Sequence, residues 1–287
     1  MKVLVTGVKG QLGYDVVKEL ERRGHQSIGV DREEMDLMDN EAIRRFIIEL
    51  KPEAIIHCAA YTAVDKAEED VEVCYQINAE AVKVIAECAK ELDVKMIYIS
   101  TDYVFDGTKE GEYVETDLPN PINVYGASKL KGEQYVQELL EKYYIVRISW
   151  VFGVNGNNFI KTMRRLGVER DELNIINDQV GSPTYTADLA PLLVDMMETD
   201  KYGIYHATNE GFCSWYEFAN EIFKQSGMQV KTNPITMDQY PTAAKRPMNS
   251  RMSKAKLKAN GFNLLPMWPQ SVKDYIKYII GDEYDIL

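Results

Sequence analysis

The 287-residue chain is poor in the residues that build metal and disulfide sites, with four cysteines and three histidines. The cysteines (Cys58, Cys74, Cys88 and Cys213) form no CxxC pair, and three of them fall in apolar or helix-like stretches. Reduced, buried thiols are therefore expected. His25, His57 and His206 are scattered without metal-ligand spacing, which argues against a zinc site. Basic residues are outnumbered: 33 Lys and Arg against 45 Asp and Glu leave a net charge of −12. That balance argues against nucleic acid or an anionic membrane as partner. No apolar run approaches membrane-spanning length. The first strand begins at Lys2, which leaves no room for a signal peptide, so a cytoplasmic protein is expected. Internal repeats, low-complexity tracts and flexible linkers are missing as well.

What is present is an ordinary soluble composition, 45% hydrophobic and 27% charged, arranged in an alternating pattern. Val3–Thr6, Ser27–Val30, Ala54–Cys58, Met96–Ser100 and Tyr144–Ile148 read as strands. Between them Gln11–Arg23, Asn40–Leu50, Cys74–Leu92 and Ser128–Lys142 show apolar spacing near the helical period. The strands are apolar throughout, as expected of a parallel sheet covered on both faces. After Trp150 the rhythm loosens: Val151–Asn158 reads as a loop, with helices at Ser214–Ser226 and Gln270–Ile280. The expected fold is α/β, a Rossmann-type doubly wound parallel sheet with a smaller, mixed C-terminal substrate lobe. The dinucleotide-binding domain is expected over residues 1–152, with 178–208 returning to it. The lobe is expected over 153–177 and 209–287.

The first strand runs into Gly7-Val8-Lys9-Gly10-Gln11-Leu12-Gly13 and then a helix. Glycines at this junction let the backbone turn tightly, approach a pyrophosphate and pack helix on strand. The helix N-terminus supplies free N–H groups and a positive dipole end to the phosphates. Asp31 follows the second strand, where a carboxylate meets the adenosine ribose and repels a 2′-phosphate, which favours NADH. The neighbouring Arg32 can pair with that phosphate, so the expectation leans to NADH or to use of both NADH and NADPH.

Far downstream lies Tyr125-Gly126-Ala127-Ser128-Lys129, with phenol and ammonium at i and i+4. A tyrosine near its free pKa of about 10 is a poor acid at neutral pH, and an adjacent ammonium brings it towards the working range. The fourth strand ends in Ser100-Thr101, and strand-end hydroxyls face the ligand crevice in open α/β sheets. Thr101 can share a developing oxyanion with Tyr125. Together these features point to redox chemistry on a carbonyl or an alcohol.

Through Thr6–Gly13, Ser100–Thr101 and Tyr125–Lys129 the chain resembles the extended short-chain dehydrogenase/reductases. Within them it resembles the dTDP-4-dehydrorhamnose reductase family, through Cys58–Glu68, Ser100–Gly107, Arg147–Phe152, Asn177–Thr184 and Arg246–Arg251. These blocks run in order along nearly the whole chain. The resemblance implies reduction of the 4-keto group of dTDP-4-dehydro-L-rhamnose, with hydride from nicotinamide C4 and a proton from Tyr125. It puts Thr101, Asp102, Tyr103 and Trp150 around the sugar. It puts Asp36, Leu37 and the Ala59–Thr62 stretch (Ala59, Ala60, Tyr61) along the cofactor. Some members hold magnesium through carboxylates at a homodimer interface; here only Asp15 matches, so no metal is expected. Lys245, Arg246 and Arg251 are the densest basic group of the C-terminal half, and Arg246 and Arg251 are candidates for the nucleotide diphosphate.

Two other readings compete: a nucleotide-sugar 4,6-dehydratase or epimerase, and a non-catalytic regulatory subunit. Related nucleotide-sugar dehydratases carry Thr-Asp-Glu at the end of this strand, whereas Tyr103 stands at the glutamate position here, leaving no evident base for elimination. A regulatory subunit of methionine adenosyltransferase also resembles these reductases without catalysing their reaction, but the complete Thr101, Tyr125 and Lys129 set speaks for an enzyme.

Overall fold

The computed structural model describes residues 1–284. Its centre is a six-stranded, wholly parallel sheet in the order β2-β1-β3-β4-β5-β10. The strands are β1 (Lys2–Thr6), β2 (Gln26–Val30), β3 (Ala54–His57), β4 (Lys95–Thr101), β5 (Tyr143–Ile148) and β10 (Gly203–His206). The expected doubly wound fold holds, and the first five strands lie within a residue of their expected bounds. The order reverses between β1 and β3, and ligands bind at such a switch point, outside the carboxyl ends of the strands.

Alternate side chains of each strand enter different cores. Val3, Val5, Ile56 and Val146 pack under α1 (Gln11–Arg22) and α8 (Thr186–Met197). Leu4, Ile55, Met96, Tyr98 and Ile145 pack under α2 (Asn40–Leu50), α5 (Ala81–Glu91) and α6 (Val124–Leu139). Both faces being buried is why the inner strands β1, β3, β4 and β5 are mostly apolar.

Three local features differ from the expected elements. The helix expected from Cys74 runs from α4 (Val71–Tyr75), after the short α3 (Val64–Ala67), through a π-helical turn, Gln76–Glu80, into α5. Such a turn widens the helix and is frequent at functional sites. Helix α6 starts at Val124 rather than Ser128, because the Asn123 side chain accepts the Gly126 N–H at 2.7 Å and caps it there. Tyr125 is thereby in the first turn of the helix. Within the expected loop 151–158, Val151–Phe152 forms the short strand β6.

Strand β6 pairs with β9 (Thr184–Tyr185), β7 (Glu172–Ile176) with β12 (Lys231–Ile235), and β8 (Val180–Gly181) with β11 (Cys213–Ser214). Around them lie α7 (Phe159–Glu169), α9 (Trp215–Gln225) and α11 (Trp268–Tyr284), sharing a third core that includes Phe152, Ile160, Phe218, Ile222 and Tyr275. The short α10 (Ala255–Ala259) returns to the main sheet, with Leu257 and Phe262 packed in the core beside Tyr205. Among the described residues no helix is long and apolar enough to cross a membrane.

Candidate active site

A cavity of about 640 Å³ opens at the ends of β1, β4 and β5. It is floored by the turn Gly7–Gly13. Gly7 has a φ of +71°, and a Cβ there would lie 2.8 Å from the backbone of Ala59; a Cβ on Gly13 would overlap the Gly7 carbonyl. Only glycine permits that conformation and that approach. Gly10 precedes α1 with no side chain capping the helix, so the N–H groups of its first turn are left for a ligand, and an anion is favoured there. The arrangement fits the pyrophosphate of a dinucleotide. Leu12 lines the same cavity, and so does Gln11. The Gln11 carboxamide is engaged elsewhere: its Oε1 accepts the Gly153 N–H at 2.8 Å and an Asn158 N–H at 3.1 Å. It thereby joins the turn to the strand after β5.

A second cavity, about 390 Å³, is lined by Arg32, Asp36, Leu37 and Tyr61. Gly7, Asp31, Ala59 and Ala60 line both. Asp31 accepts the backbone N–H groups of Lys9 at 3.0 Å and Arg32 at 2.8 Å, so its carboxylate also ties the second strand to the glycine turn. The Arg32 side chain is 82% exposed, 3.8 Å from Asp36. Tyr61 donates from its phenol to Asp70 at 2.8 Å, and its backbone N–H reaches Asn78 Oδ1 at 2.8 Å.

Ser100, Thr101, Asp102, Tyr103, Tyr125, Lys129 and Trp150 all line the larger cavity. The Tyr103 and Tyr125 rings meet edge to face, centroids 5.5 Å apart. Lys129 Nζ stands 4.1 Å from the centre of the Tyr98 ring. Burial lowers the Lys129 pKa to about 7, with Glu133 opposing the shift. Burial also raises the phenol of Tyr125 above its usual range, opposed by hydrogen bonding with Thr101. This is the opposite of the lowering expected from the Lys129 ammonium, because burial dominates; the surrounding protein favours the neutral phenol, a proton donor. Asp102 is fully enclosed and its pKa rises to about 6 through burial, against hydrogen bonds from Ser250 and Thr101. Trp150 has a φ of +49°, strained for a side-chain-bearing residue. Its indole stacks on Trp215 with centroids 3.7 Å apart.

Arg246 and Arg251 are not among the residues lining either cavity. Arg246 forms a two-pronged pair with Asp65, at 2.6 and 3.1 Å, and also acts on the Tyr103 phenol. Arg251 donates its Nε–H to Asn249 at 2.9 Å. Asp15 accepts the Thr186 hydroxyl at 2.5 Å. Among the described residues no three His, Cys, Asp or Glu side chains gather to hold a metal ion, and the four cysteines are free thiols.

Residues 1–280 match the family model described as the RmlD substrate binding domain. The chain belongs to the dTDP-4-dehydrorhamnose reductase family. It is 41% identical to the dTDP-4-dehydrorhamnose reductase of Aggregatibacter actinomycetemcomitans, over 96% of this chain and 99% of that one. Among solved structures, the dTDP-4-dehydrorhamnose reductase of Clostridium acetobutylicum is 42% identical. It superposes with a TM-score of 0.95 over 98% of this chain and all of that one. The Bacillus anthracis reductase, solved in complex with NADP, is also 42% identical, with a TM-score of 0.94 over 96% and 99% of the two chains. The chain is accordingly a nicotinamide-dependent oxidoreductase, as its motifs led one to expect.

Several supporting residues carry no motif. Asn78, within the π-helical turn, holds the backbone of Tyr61 and donates to Ser128 at 3.0 Å. Thr6 bonds His57 at 2.8 Å and accepts the Ala59 N–H at 3.1 Å, setting the loop that faces Gly7. A lone asparagine in an apolar helical stretch was the available signal for the first.

Proposed function

We propose that the protein reduces the 4-keto group of dTDP-4-dehydro-L-rhamnose to dTDP-L-rhamnose, using NADH or NADPH. The observation that carries this reading is the meeting of Thr101, Tyr125 and Lys129 in the cavity floored by the glycine turn, in a chain of this family. Reduced nicotinamide, when bound, supplies the hydride from its C4 to the sugar C4. Tyr125 gives its proton to the carbonyl oxygen, and the Thr101 hydroxyl donates to the same oxygen as charge develops. Lys129 holds the nicotinamide ribose and, as ammonium, offsets the negative charge left on Tyr125.

Asp102, Tyr103 and Trp150 surround the sugar in this reading, with Arg246 and Arg251 serving the diphosphate. Residues 153–177 and 209–287, apart from the α10 segment that packs on the main sheet, form the substrate lobe, and 1–152 with 178–208 the cofactor domain. Asp31 takes the adenosine ribose of NADH, and the exposed Arg32 guanidinium takes a 2′-phosphate, which supports use of both cofactors. A cytoplasmic homodimer without a resident metal completes the reading. Tyr103, where a dehydratase needs a carboxylate, weighs against elimination.

The test is oxidation of NADH and NADPH by the purified protein against a panel of nucleotide 4-keto sugars, with the product identified. Turnover of dTDP-4-dehydrorhamnose to the 4-hydroxy sugar is expected. Cofactor binding without turnover would instead indicate a non-catalytic role, and loss of water from the sugar a dehydratase.

A further inference from the structure

Tyr125, Lys129 and Glu133 follow one another at four-residue steps along α6, and so share one helix face. Glu133 is fully buried. Its Oε1 accepts the Ser100 hydroxyl at 2.5 Å and the Arg147 Nε–H at 2.9 Å, while its Oε2 accepts Arg147 Nη2 at 2.6 Å. Ser100 immediately precedes Thr101 at the end of β4. A carboxylate this enclosed is costly to bury and is kept only by such partners.

We propose that Glu133 is a positioning residue for the proton-transfer pair: it supplies the negative charge that keeps Lys129 protonated and, through Ser100, fixes the strand end that carries Thr101. This role rests on the reductase reading above. The groups around Lys129 single out Glu133. On its own helix stand Tyr125 and Glu133; β3 and the residue after it bring His57 and Cys58; α4 brings Cys74, and β4 brings Tyr98. His57 is held neutral by burial, with a pKa near 3. Burial raises both thiols, Cys58 to about 12, so they are uncharged at neutral pH. Glu133 is left as the carboxylate acting on the ammonium. Arg147 reaches Glu133 from β5, whereas the Lys129 ammonium lies over the Tyr98 ring of β4. Tyr98 and Tyr143 also feel the Glu133 charge, and Arg147 in turn faces His206 and Glu115.

The experiment follows the Lys129 side chain by NMR in protein labelled with ¹³C at the lysine ε-carbon, its resonance assigned with Lys129→Arg. In Glu133→Gln the titration midpoint of Lys129 should fall by about one pH unit, a tenfold loss of proton affinity. The alkaline limb of kcat should move the same way with little change in KM. Glu133→Asp should restore part of both shifts. If Glu133→Gln does not fold, Glu133→Gln combined with Arg147→Met removes both buried charges and should show a smaller shift of the same sign. An unmoved Lys129 midpoint in the folded variant overturns the proposal. The NMR measurement needs no sugar substrate, so its failure is distinct from a failure to reduce the keto sugar, which would overturn the reaction assigned.

Discussion

Ser250 donates its hydroxyl to Asp102 at 2.5 Å, joining the Arg246–Arg251 block to the strand end that lines the cavity. Burial nevertheless raises the Asp102 pKa to about 6 from the usual 3.8, against this hydrogen bond and that from Thr101. A carboxyl whose folded pKa is raised binds its proton more tightly when folded. Its burial therefore costs nothing below about pH 4, and the penalty grows as pH rises towards 6 and stays above it. At 1.36 kcal/mol per unit the penalty is on the order of 3 kcal/mol at pH 7. Asp102→Asn should raise the stability at pH 7 and flatten the fall in stability between about pH 4 and 6. Denaturant unfolding across that range checks this; parallel curves for both proteins would show that Asp102 ionises without penalty.

Tyr125 should be the proton donor. Tyr125→Phe keeps the ring against Tyr103 and removes the oxygen, so cofactor affinity should survive while kcat falls by about 10²–10⁴-fold. Retention of more than half the wild-type kcat would mean that another group delivers the proton.

Asp31 should set cofactor preference, although its carboxylate also accepts the backbone N–H of Lys9 in the glycine turn and that of Arg32. Asp31→Ala should weaken NADH and, by removing repulsion of the 2′-phosphate beside Arg32, move the preference towards NADPH. Titration of both cofactors gives the ratio, and an unchanged ratio would confine Asp31 to bracing the turn.

The parts legible in the sequence were those with local causes. β1, β3, β4 and β5 are mostly apolar because both sheet faces are covered there, and the glycines of the turn and the Tyr125–Lys129 pair are recorded within a few neighbouring residues. Helix α8 was not legible: its polar face is reduced to Asp188 and Asp195 in a mostly buried, apolar helix, and Pro191 inside it is a helix breaker. Strand β10 is only four residues, Gly203–His206, with a glycine, a tyrosine and a histidine in place of an apolar run. The start of α6 depended on one capping side chain, Asn123, three residues before Gly126. The contacts that brace the site were hidden for a different reason. Asp65 and Arg246 are 181 positions apart, and Asp102 and Ser250 are 148 apart. No local pattern records such pairs.

The Asp65–Arg246 pair shapes the last prediction, because it decides what Arg246 has left to give a substrate. The guanidinium spends Nη1 and Nη2 on Asp65, with Nη1 also reaching the Ala244 carbonyl at 3.2 Å. Asp65 is itself fixed by the Ala244 N–H at 3.1 Å, and Asn123 holds the Lys245 carbonyl at 2.8 Å, so the stretch leading into Arg246 is anchored. A planar guanidinium has five N–H donors, and a diphosphate can take those that Asp65 does not use or compete for the others. With a net charge of −12, the protein cannot hold a dianion by its overall field and needs a local cation. Arg246→Ala and Arg251→Ala should each leave NADH affinity unchanged. At least one should raise the KM for the sugar nucleotide about tenfold or more, since a hydrogen bond to a charged group contributes roughly 1.5–3 kcal/mol. The larger effect is expected at Arg246, which acts on the Tyr103 phenol at the cavity wall, whereas Arg251 is held by Asn249. Asp65→Asn should weaken the pair while keeping the guanidinium, and so should raise KM less than Arg246→Ala. Unchanged KM in both arginine variants would place the diphosphate elsewhere and leave Arg246 as the latch that fixes the 242–248 segment.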